Sequence, residues 1–221
     1  MRHTLLVLAL VPALMLPLAA VAHGFSDTDK INGAVRVEAG QQAGDVSTVN
    51  GGVHIGDGAV IQKASTVNGV VDLGDKVQAR EIDTVNGAIT VGSSSHVSGT
   101  IEAVNGAIHL GKNADVTGKT SNVNGVISLD GAHVGGGLET VSGDILVGAN
   151  SRVEGGILVD KPGGMFNFNS NNRKPRVVIG PHTVVQGTLE FRREVVLQVS
   201  SSAQIGQVIG ATPISFSGDQ P

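Results

Sequence analysis

The residues able to do chemistry are few. The chain has 221 residues and no cysteine, which removes thiolate metal sites, cysteine nucleophiles and a disulfide scaffold. Histidine offers the best remaining groups. His96 and His133 fall near one another's column of an internal repeat, two turns apart, with Asp115 between them. Two His and one carboxylate are a metal-ligand or acid/base set, but two turns put the imidazoles roughly 10 Å apart, too far for one ion. His54 and His109 share a repeat position three turns apart, roughly 14 Å. These read as surface histidines. The other candidate is a column of amides, Asn32, Asn50, Asn68, Asn86, Asn105 and Asn124, which reads either as a ligand-binding row or as a structural ladder bonding up and down a stack. Asn-Gly is a favoured turn pair, which supports the ladder. Thr48, Thr66 and Thr84 run beside it and read as a solvated β surface. No catalytic, cofactor or metal residue is assigned, and the expectation is a protein that is not an enzyme.

The elements that position these residues follow from a repeat. The signature is aliphatic-Asn-Gly-x-aliphatic-x-aliphatic, as in Val85-Asn86-Gly87-Ala88-Ile89-Thr90-Val91. Seven copies occur, the last with Ser142 in place of Asn, at intervals of 18 or 19 residues. Fixed periodicity of this kind marks a repeat architecture. Positions −1, +3 and +5 from the Asn are almost always Val, Ile or Leu, which predicts one buried face. Further aliphatics near +11 and +14 or +15 divide each repeat into about three short β segments. Gly and β-branched residues exclude a helix. The expected fold is all-β, a single-stranded β-helix (β-solenoid) of about nine turns of 18–19 residues, roughly triangular in cross-section.

This fold explains the composition of 32 Gly and only five Phe, with no Tyr or Trp. Turns stack at ~4.8 Å, so each inward Val or Ile sits on its equivalent in the next turn, and a narrow core admits few rings. Gly serves the corners.

Arg2 and His3 precede an uncharged run that closes on Ala20-Val21-Ala22. That is the layout of a secretory signal peptide over residues 1–22. The expected organisation is this segment, a solenoid domain over 23–210 with an inserted loop at 160–175, and a flexible tail over 211–221. The expected location is the periplasm or the cell surface.

Residues 24–160 hold 8 Lys/Arg and 16 Asp/Glu, whereas 161–193 hold 6 and 1. Four of the five Phe lie in the C-terminal third. Met165, Phe166, Phe168, Arg173, Lys174 and Arg176 therefore form the candidate interaction loop, either a cap on the solenoid or a dock for another copy, an anionic glycan or a lipid surface. Basic residues and aromatics are too few for nucleic acid.

The Thr-Val-Asn-Gly-x-Ile units and Thr140-Val141-Ser142-Gly143-Asp144-Ile145 resemble adhesin-like families of bacterial β-strand repeats. The units Val91-Gly92-x3-His96-Val97-x-Gly99-x-Ile101 and Val147-Gly148-x4-Val153-x-Gly155 resemble bactofilins, the polymer-forming cytoskeletal proteins. The latter resemblance implies a β-helix that polymerises end to end without nucleotide. Function is expected to be structural: self-association as a homo-oligomer or end-to-end polymer, or contact with envelope glycan or lipid, with no cofactor. A polysaccharide-binding module is the alternative. Ile179-Gly180-Pro181-His182-Thr183-Val184 also resembles one turn of the left-handed hexapeptide acyltransferases, which would make His182 a base. Those enzymes repeat every six residues, whereas this chain repeats every 18.

Overall fold

The computed structural model describes residues 25–162, 173–218 and 220–221. The chain is a β-solenoid in which every strand pairing is parallel and joins equivalent positions of successive turns. One complete turn shows the plan. After Asn86-Gly87 come the strands Ile89–Val91, His96–Val97 and Ile101–Asn105, and the next Asn-Gly follows. Three columns of strands result. One is a separate sheet of ten strands, from Val35–Val37 to Ile214–Phe216. The other two merge into a sheet of 17, because Gln42–Asn50 and Val60–Asn68 each run through both columns. No helix among the described residues is long and apolar enough to cross a membrane.

Among the described residues, ten strands in one column mean ten turns, one more than the repeat predicts. The additional turn comes from the segment expected to be a loose tail. Its strand Ile214–Phe216 pairs with Gln198, Val199 and Ser200. It lacks the Asn-Gly signature, so the repeat does not announce it.

The core is a set of stacked aliphatic columns. Val35, Val53, Val71, Ile89, Ile108, Ile127, Ile145, Val177 and Leu197 form one, and all are buried. β-Branched side chains stacked on their own kind fill space evenly at the strand spacing. The third residue after the first strand column is a corner where the backbone turns left-handed. Gly40 and Gly58 occupy it first, then Lys76, Ser94 and Asn113 at φ 57°, Asn150 at 59° and His182 at 55°.

Two expectations change at the Asn-Gly corner. The aliphatic at −1 was expected inside and lies outside: Val49, Val67, Val85, Val104 and Val123 are 38–41% exposed. The threonines at −2 were expected in solvent and are buried, with Thr48, Thr66 and Thr84 at 3–4% exposure. The cause is the corner itself. Asn-Gly takes the chain out of the pleat, so inward positions are even before it and odd after it. Threonine matches valine in shape, and its hydroxyl needs one partner. Thr48 Oγ1 donates to the carbonyl of Gly33 at 3.0 Å and Thr66 Oγ1 to that of Gly51 at 2.9 Å.

Candidate functional site

The corner carries the most regular surface of the rod. Asn50 Nδ2 donates to Asn32 Oδ1 at 3.1 Å, and Asn68, Asn86, Asn105 and Asn124 continue the chain at 3.0, 3.0, 3.1 and 2.9 Å. Each of the four inner amides spends one donor and one acceptor on its neighbours. The remaining ones face solvent, since all six residues are exposed. Glycine at +1 is required by close approach. A Cβ at Gly69, Gly87 or Gly106 would land on the carbonyl oxygen of the equivalent glycine one turn earlier. The exposed valines run alongside as an aliphatic stripe.

Beside that stripe lies an open groove of about 640 Å³ that spans six turns. Ser47, Ser65, Asp83, Glu102, Ser121 and Glu139 line its length. Lys63 is clamped there, with Nζ 2.5 Å from both Glu81 Oε1 and Asp83 Oδ2. Hydrogen bonds to Asp83 and Glu81 push its pKa up to about 12. The hydrogen bond from Lys63 holds the Glu81 carboxyl below its usual range. Burial raises that of Asp83 despite the same ammonium. Lys63 and Glu81 lie 18 residues apart, one repeat, so their opposite charges at that spacing are the signal in the sequence for this contact.

The histidine column is drawn together by its carboxylate. His96 Nδ1 lies 2.7 Å from Asp115 Oδ2, and His133 Nδ1 2.5 Å from Asp115 Oδ1. Burial would raise the Asp115 carboxyl, but the bonds to His133 and His96 outweigh it and hold the carboxyl below its ordinary range. Glu154, 3.5 Å from His133 Nε2, is bound by Arg152 Nε at 3.0 Å and is likewise depressed, first by that hydrogen bond. The result is a surface charge ladder along one strand column. Among the described residues no group of three or more His, Asp and Glu is arranged to hold a metal ion. His54 pairs with Asp72 at 3.2 Å, and His109 contacts Ser128 Oγ at 3.0 Å. His182 is exposed at the left-handed corner position, its backbone N–H donating to Ser202 Oγ at 3.2 Å.

The expected interaction loop is only partly within view. Met165, Phe166 and Phe168 lie outside the described residues, as do residues 1–22. Ile157–Val159 and Arg176–Ile179 are consecutive described strands of the solenoid, and in sequence the stretch between them stands where an eighth Asn-Gly signature would fall. The cations at its root are paired. Arg173 meets Asp144, Lys174 meets Glu194 at 2.9 Å, and Arg176 Nε donates to Gln198 Oε1 at 2.6 Å. Arg192 is bound to Glu190 at 2.8 Å and to Asp160 at 3.5 Å. Three of the six cations in the 161–193 window, Arg173, Lys174 and Arg192, are thus paired with carboxylates, of which Asp144, Glu194 and Asp160 come from outside the window. Arg193 differs: its guanidinium donates to Val141 O at 3.0 Å and Ser142 Oγ at 3.2 Å, closing the end of the corner ladder.

No protein family, curated protein or solved structure matches the chain. The geometry therefore stands alone. It holds regular ladders, an open groove and two sheet edges.

Proposed function

We propose that this chain is a non-catalytic, exported structural protein, a rod that associates end to end with copies of itself and contacts envelope components. The observation that carries the reading is the state of the end turns. Among the described residues, Gln204–Ile205, Val208–Ile209 and Ile214–Phe216 each pair with one neighbour, as do Thr28–Asn32 and Val35–Val37. Such edges present unpaired N–H and C=O groups to another chain. Apolar side chains accompany them: Ile209 and Ile214 are 47% and 55% exposed, and Ile31 is 73% exposed. Because every pairing in the rod is parallel, the first turn of one copy on the last turn of another would continue the same three columns. The resemblance to bactofilins supports the same mode of assembly, and the N-terminal segment supports export to the periplasm or cell surface.

Light scattering and electron microscopy of the chain beginning at residue 23 test this reading. Mass that grows with concentration, and its loss in Ile214→Lys, are expected. A strict monomer that binds neither envelope glycan nor lipid vesicles overturns it.

A second reading, a polysaccharide-binding module, is favoured by the groove with its row of hydroxyls and carboxylates. Retention on immobilised envelope glycan, lost in Glu102→Ala with no change in self-association, would select it.

A further inference from the structure

We infer that, among the six Asn-Gly pairs of the ladder, Asn124-Gly125 is the preferred site of spontaneous deamidation, and that the solenoid shields the other five from the same reaction. The sequence places glycine after every asparagine of the ladder. That pairing is the one most open to cyclisation, because glycine leaves its own backbone nitrogen unhindered. In the reaction the Gly nitrogen attacks the Asn side-chain carbonyl carbon, Cγ, and loses its proton to solvent. The Cγ–Nδ2 bond breaks and ammonia leaves. Water then opens the five-membered imide at either carbonyl, which yields Asp or isoaspartate. The sum is amide plus water giving acid plus ammonia.

The attacking nitrogen must be free, and in five of the six corners it is not. The N–H of Gly33 donates to Asn50 O at 2.8 Å, and that of Gly51 to Asn68 O at 3.0 Å. Gly69 donates to Asn86 O at 2.9 Å, Gly87 to Asn105 O at 3.1 Å and Gly106 to Asn124 O at 2.9 Å. Each bond joins one turn to the next, so freeing the nitrogen requires the turns to part. Among the described residues, the Gly125 N–H has no such acceptor.

The reason lies in the seventh corner, Val141-Ser142-Gly143. It folds on itself, with the Gly143 N–H donating to Thr140 Oγ1 at 2.9 Å. Strand register records the same break independently. Pairing runs to an Asn–Asn match in the first five turn contacts, as in Asn105↔Asn124, but stops at Asn122↔Thr140 in the sixth. Asn124 is also held from one side only. Its Nδ2 donates to Asn105, and the next rung offers Ser142 in place of an amide. The residue is exposed, so water reaches it.

The test is a time course of the full chain in mildly alkaline buffer, read by peptide mass spectrometry and by enzymatic isoaspartate methylation. In the native state Asn124 should react about tenfold faster than any other ladder asparagine, the factor expected from one engaged hydrogen bond. In concentrated urea the six rates should converge, since the local sequences match. Equal native rates, or another asparagine in the lead, overturn the inference. Asn124→Ser provides a second check. It keeps the backbone carbonyl that binds Gly106, so Asn105 should stay slow; a fast Asn105 in this variant would equally overturn the proposal.

Discussion

Asn122 and Thr140 meet inside the rod, one turn apart, where Thr140 Oγ1 donates to Asn122 Oδ1 at 2.7 Å. Both are buried, and both stand in the column that earlier turns fill with Thr48, Thr66 and Thr84. Asn122 Nδ2 reaches Gly106 O at 3.2 Å, the same kind of carbonyl those threonines use. Thr140 also accepts from the Gly143 N–H. The Asn122 side-chain oxygen and the Gly143 N–H both have the Thr140 hydroxyl as their partner. Thr140→Val should therefore cost about 2–3 kcal/mol, because it leaves a buried amide oxygen and a backbone donor unpaired. Urea unfolding measures it. The same change at Thr84, whose hydroxyl makes one long bond of 3.4 Å, should cost much less.

The reversal of parity at the corner makes a paired prediction. Val85 is exposed and Ile89 is fully buried, although both fit one alternating pattern in the sequence. Val85→Ala should change stability by less than about 0.5 kcal/mol. Ile89→Ala should cost about 2–5 kcal/mol through lost burial and the cavity left behind. Equal effects in thermal unfolding would mean that the valine stripe is covered in solution.

Glycine has opposite uses at two corners. Gly87→Ala should destabilise by about 3 kcal/mol, since the new methyl group meets the backbone oxygen of Gly69. Ser94→Gly should stabilise slightly, by about 0.5 kcal/mol. Removing the left-handed strain of Ser94 gains more than the added freedom of the unfolded chain costs. Chemical denaturation of both variants checks the pair.

Lys63 gives the rod an alkaline limit. Its folded pKa, about 12, lies above its ordinary 10.5. A raised folded value means that its stabilisation is fully present below pH 10.5 and is lost as pH rises toward 12. Melting temperature should fall across that window, and Lys63→Met should flatten this part of the profile. On the acid side its partners oppose each other. Depressed Glu81 loses stability as pH falls through its folded value, whereas raised Asp83 gains it on protonation. The acid limb should therefore move less than either carboxylate alone would move it.

The architecture was legible because each turn must return to one strand spacing. That forces Asn, Gly and aliphatics to recur every 18 or 19 residues, and the recurrence survives in the text of the sequence. What failed to show was orientation. Val85 and Ile89 lie four apart, so a period of two runs through both, and nothing in residue type reveals that Asn86-Gly87 interrupts the pleat. Thr84 was misplaced for a related reason: a hydroxyl looks solvated until a carbonyl is known to wait for it. The paired cations at Arg173 and Lys174 were hidden because Asp144 and Glu194 flank the counted window, and only the stacking of turns brings them close.

The asparagine ladder gives the rod a sense of direction. Every side-chain bond points the same way, so Asn32 ends the row with an unused amide donor and Asn124 with an unused acceptor. The two termini of the ladder differ in kind, as the plus and minus ends of a filament do. The Asn124 terminus lies inside the rod with further turns stacked on it, so copies would meet through the end turns, and such head-to-tail contact is heterologous, forming a ring only where its rotation closes. Where that rotation does not close, the assembly would grow without a natural stopping length, and its size would be set by supply or by a separate terminator.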